Sequence, residues 1–140
     1  MKEWMHSGVQ VDHALLLLDF SNAFYTLDRS AMLRAISERC PHFLPYAVFC
    51  YGAPTPLFGP GGNISSQSGT QQGDVCGPLF FAVTAHSLAQ RAAQAPGTSL
   101  AAWYLNVGSQ AGSITGLAAA VQELEAGGGA SAASEQCLLW

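Results

Sequence analysis

The chain has 140 residues, enough for one domain with a core of its own, and 49% of them are hydrophobic. Only 10% are charged, against roughly a quarter in typical soluble domains, which points to a chain covered in part by something larger. Nine acidic residues against five basic ones give a net charge of −4, and that excludes the broad basic face of a free-standing nucleic-acid binder.

Cys40, Cys50, Cys76 and Cys137 are scattered, with no CxxC pair, and read as reduced thiols rather than a zinc site. No apolar run reaches the roughly 20 residues of a membrane span. The opening "MKEWMHSGVQ" is not a charged n-region followed by an apolar h-region. The expectation is an intracellular protein of the nucleus or cytoplasm, neither secreted nor membrane-bound. Residues 1–10 read as a leader and 11–140 as the domain.

In chain order, "VDHALLLLDF" (11–20) has the length and apolar density of a strand buried on both faces, although periodicity alone does not separate it from a helix. A helix follows, capped by Asp28 or Ser30, with Met32, Leu33 and Ile36 on its apolar side and Arg34 and Glu38 on its wet side. Pro41 stops it. "FLPYAVFCY" (43–51) reads as a second short helix, and Pro60-Gly61-Gly62-Asn63 as the turn of a hairpin.

A polar loop, "GTQQGDVC", leads to a helix with Pro78 in its first turn. Leu79 to Val83 are apolar all round, so its start is expected to be deeply buried. Pro96-Gly97 ends it, and "LAAWYLNVGSQAGSITG" reads as strand, turn, strand. Leu117, Val121 and Leu124 recur at helical spacing up to the stop at Gly127-Gly128-Gly129, and the tail is either an edge strand or disordered. This order of elements predicts an α+β fold, with helices on one face of an antiparallel sheet.

Asp19 stands directly behind four leucines, where a charge needs a partner, a metal or water. By itself it reads as a strand-end residue that caps a turn or the following helix. Three blocks, "LLLLDFSNAF", "QSGTQQGDVCGPLFF" and "WYLNVG", together resemble the palm of reverse transcriptases, most of all those of non-LTR retrotransposons. The resemblance runs from about Val11 to the terminal "CLLW", with fingers and thumb largely missing. Asp19-Phe20-Ser21-Asn22-Ala23-Phe24 matches the family's Asp-Phe-x-x-Ala-Phe, and Gln72-Gly73 with Pro78 its Gln-Gly-x-x-x-x-Pro.

The resemblance implies that Asp19 binds the two Mg²⁺ ions of phosphoryl transfer, with the Phe20 carbonyl as a lesser ligand. It implies that Phe24 lies beneath the incoming deoxynucleotide and that Gln72 and Gly73 approach nucleotide or template. RNA template, DNA primer and dNTP would be the ancestral partners. The third block departs from the family. Tyr104-Leu105-Asn106-Val107 stands where relatives carry Tyr-x-Asp-Asp, so Asn106 and Val107 replace both carboxylates.

Gln136 replaces the lysine common before the last block. Two unit charges about 4 Å apart repel by about 4 kcal/mol at an effective dielectric of 20, and two dications by fourfold more. One carboxylate offsets little of that. The expectation is a catalytically inactive palm remnant with weak or absent Mg²⁺ and nucleic-acid binding. The alternative is a non-catalytic protein- or RNA-binding module on a palm fold.

Overall fold

The computed structural model describes residues 12–127 and 133–138, the last six as backbone only. The chain divides into two compact units, one of Asn22–Ser87 and one that joins the residues up to Ser21 with those from Leu88 onward.

The second of these is a four-stranded antiparallel sheet in the order β4-β5-β1-β6. β1 (His13–Phe20) is central, β4 (Thr98–Tyr104) and β5 (Val107–Ser113) form a hairpin beside it, and β6 (Ala133–Leu138) is the opposite edge. The tail is therefore a strand. Alternation in β1 sends Ala14, Leu16 and Leu18 to one face, where they are buried against Leu117, Ala120 and Leu124 of α5 (Ile114–Gly127) and against Ala92 and Ala95. Each buried leucine contributes about 2 kcal/mol here.

Gly108 is needed on this face. A Cβ there would meet the Trp103 ring at 2.7 Å, and Trp103 packs against the cluster. Helix α5 starts at Ile114, three positions before the first of its spaced apolar residues. The signal is Ser113, whose hydroxyl accepts from Gly116 N–H at 3.1 Å and lets β5 pass straight into the helix.

The Asn22–Ser87 unit is mainly helical. A single turn, α1 (Ala23–Thr26), precedes α2 (Arg29–Arg39), whose cap is Asp28, its carboxylate accepting from Ala31 N–H at 2.6 Å. After a 3-10 turn at Pro41–Phe43 come α3 (Leu44–Tyr51) and the hairpin of β2 (Thr55–Gly59) and β3 (Gly62–Ser66). Met32, Ile36, Ala47, Tyr51 and Phe80 form its buried core.

Helix α4 (Gly77–Ala93) begins where Gly77-Pro78 predicts. Its early turns are not buried all round, however. Phe80 and Phe81 are buried, whereas Leu79 and Ala82 are exposed. A helix in a two-layer arrangement packs only one stripe, and an apolar sequence does not choose which.

Candidate functional site

In the sheet unit, β1 carries Asp19 to its C-terminal end, in register with Val107 on one side and Ser134 on the other. The β4–β5 turn is Leu105-Asn106. Leu105 has φ 52°, the left-handed conformation that a tight hairpin turn demands and that a leucine adopts only under strain. The turn thereby aims Asn106 at the end of β1. Asn106 Nδ2 donates to Asp19 Oδ1 at 2.7 Å, and Phe20 N–H donates to the Asn106 carbonyl at 3.0 Å.

Asp19 and Val107 are solvent-exposed, on the sheet face opposite the buried leucines. Phe20 points the other way, its ring stacked on Trp103 with centroids 6.0 Å apart. The structure thus brings Asp19, Phe20, Asn106 and Val107 together at one tip, where Asp19 is the one carboxylate among the described side chains. The Asn106 amide occupies one lone pair of Oδ1 and brings a neutral donor where a second carboxylate would be needed. Val107 offers no ligand atom. This donor set does not fit a pair of Mg²⁺ ions. Among the described residues, no three His, Cys, Asp or Glu side chains are grouped to hold a metal.

The remaining expected site residues belong to the Asn22–Ser87 unit. Phe24 is half-buried, its ring 4.9 Å from that of Phe81. Gln72 is exposed and its Oε1 accepts from the Tyr25 hydroxyl at 3.0 Å. Gly73 has φ 90° with open space where a Cβ would go, so its need is conformational.

Arg29 and the tyrosine bonds to Asp74 in this unit escape sequence reasoning. Arg29 is buried, donating to Ser66 O and Ser66 Oγ at 2.8 Å and to Gly69 O at 3.0 Å, with its guanidinium 5.2 Å from the centre of the Tyr51 ring. Its position was the available signal. A cation on the first residue of a helix opposes the dipole and implies a tertiary partner.

Asp74 accepts from Cys76 N–H at 2.9 Å, as a turn residue does, and also from the Tyr46 hydroxyl at 3.1 Å and from the Tyr51 hydroxyl. Burial, and then the bond to Asp74, pushes the Tyr51 phenol up from 10.0 to about 12. Hydrogen bonds with Cys50 and then Asp74 push Tyr46 up as well. These bonds brace the loop that starts α4.

Gln136 lies in β6, in register with Leu17, and its side chain falls outside the described set, as do residues 1–10 and 128–129. No helix among the described residues is long and apolar enough to cross a membrane. The chain matches no protein-family model, and no curated protein matches it in sequence.

Proposed function

We propose that the chain is a palm-like remnant of a non-LTR reverse transcriptase that has lost nucleotidyl transfer. One observation carries the reading. The Asp19 carboxylate lies 2.7 Å from Asn106 and in register with Val107, the two positions where the resemblance places the missing aspartates. The β1–β5 pairing sets the end of β1 beside this turn, and the family motif puts its carboxylates at these same positions. The charge balance agrees, since five basic residues in 140 leave little to grip a template–primer duplex.

Primer extension on an RNA template, with Mg²⁺ and then Mn²⁺, is expected to give no incorporation. Extension that disappears in Asp19→Ala would overturn the proposal.

The second reading, a non-catalytic binding module, draws support from the Asn22–Ser87 unit. Phe49 is 88% and Phe58 79% exposed there, apolar surface of the kind that meets partner proteins.

A further inference from the structure

We propose that β3 is a self-pairing edge through which two copies of the chain form a closed dimer. The idea goes beyond the palm reading and stands independently of it. β2 and β3 make a two-stranded sheet by themselves, and such a hairpin is marginal in water. Leu57, Phe58 and Ile64 are all exposed.

The two edges differ. Pro56 has no N–H, and a proline within a strand keeps its nitrogen on the unpaired side. Pro56 and Phe58 therefore turn their backbone groups outward, while Thr55, Leu57 and Gly59 face β3. In the observed register, Pro56 opposite Ser65 and Phe58 opposite Asn63, it is Asn63 and Ser65 that turn outward on β3. Proline blunts the β2 edge. The β3 edge keeps both N–H groups and both carbonyls.

A second copy is the occupant that this edge fits. Laid antiparallel about a two-fold axis through Ile64, two β3 strands bring Asn63 of each against Ser65 of the other. All four outward N–H groups then meet carbonyls. Ile64 faces its own symmetry mate as a non-hydrogen-bonded pair, where side chains come closest. It shares a face with its cross-strand neighbour Leu57, so an apolar stripe of leucine, isoleucine, isoleucine and leucine crosses the four-stranded sheet.

Residues 43–73 contain no Asp, Glu, Lys, Arg or His. A second copy therefore meets no like charge along the edge, and a charged partner finds nothing to complement. Because β2 is blocked, pairing ends at two copies.

Sedimentation velocity of the full chain from about 1 to about 500 µM tests this, with hydrogen exchange at the amides of Asn63 and Ser65. The expected result is a rise in mass that levels off at the dimer, with both amides slowing as it forms. Ile64→Lys, which sets two cations opposite each other, is expected to weaken association at least about tenfold. Ser65→Pro, which removes an outward N–H, is expected to abolish it. A monomer at every concentration overturns the proposal, and binding of that monomer to phosphatidylcholine vesicles would assign the edge to a membrane instead. Association that survives both variants, or that continues past the dimer, overturns it equally.

Discussion

Asp74 and Asp19, in different units of the molecule, are carboxylates with different surroundings. Asp74 takes hydrogen bonds from two tyrosine hydroxyls and a backbone amide, and the tyrosine that bonds it most closely lies under a buried guanidinium. Two of the donors come from α3 and the third from the turn ahead of α4, so the carboxylate ties that turn to α3 as a brace. Asp19 stands exposed at a strand end, where the amide of Asn106, on a strained two-residue turn, donates to it. The difference teaches that a carboxylate's role follows from the donors the fold brings to it. Asp74 is held by neutral donors in a protein-made cage, while Asp19 faces a turn that holds one neutral amide and one valine.

The largest expected effect breaks the braced side. Arg29→Met removes three charge-assisted bonds and the contact with the Tyr51 ring, and should destabilise the chain by about 3 kcal/mol, read from the urea midpoint. Loss of under about 1 kcal/mol would mean that the network is ornamental.

Next is a gain in the sheet unit. Gln110 is fully buried beside Leu16, and neither polar atom of its side chain has a hydrogen-bond partner. Gln110→Met keeps the shape and removes an unmet polar group, so stability should rise by about 1–2 kcal/mol and Tm by a few degrees. A fall would show that the amide is bonded in solution.

Asp28→Ala should cost about 1 kcal/mol through loss of the α2 cap, measured in the same denaturation series.

The smallest effect is a slope. Tyr51 titrates higher in the folded state, about 12 against an ordinary 10.0, so the folded chain holds its proton longer. Its contribution is complete below pH 10 and is lost as pH rises toward 12, so stability should fall across that window. Tyr51→Phe should flatten the fall, and an unchanged slope would place the titration elsewhere.

The sheet was largely legible because each signal acted locally. Four leucines in a row mark a strand, which is central but buried on one face rather than the expected two, and a Gly127 stop ends α5. Pro41 and Gly77-Pro78 bracket helices by steric rules that tertiary context rarely overrides. Burial was less legible. In a chain with 10% charge, polarity marks no wet face, which is why Leu79 and Ala82 were expected inside.

Of the candidate site, the resemblance named Asp19 and the Asn106-Val107 turn, and the β1–β5 pairing brings them together. The brace of Arg29, Tyr51 and Asp74 depends on contacts up to 40 residues apart that no local pattern encodes.

The most direct test restores what the turn lacks. The double variant Asn106→Asp with Val107→Asp, titrated with Mn²⁺ by calorimetry, should gain a divalent-cation site absent from the parent chain, and Asp19→Ala in that background should remove it. A double variant that keeps its circular dichroism and unfolding transition yet binds no more Mn²⁺ than the parent would contradict the account.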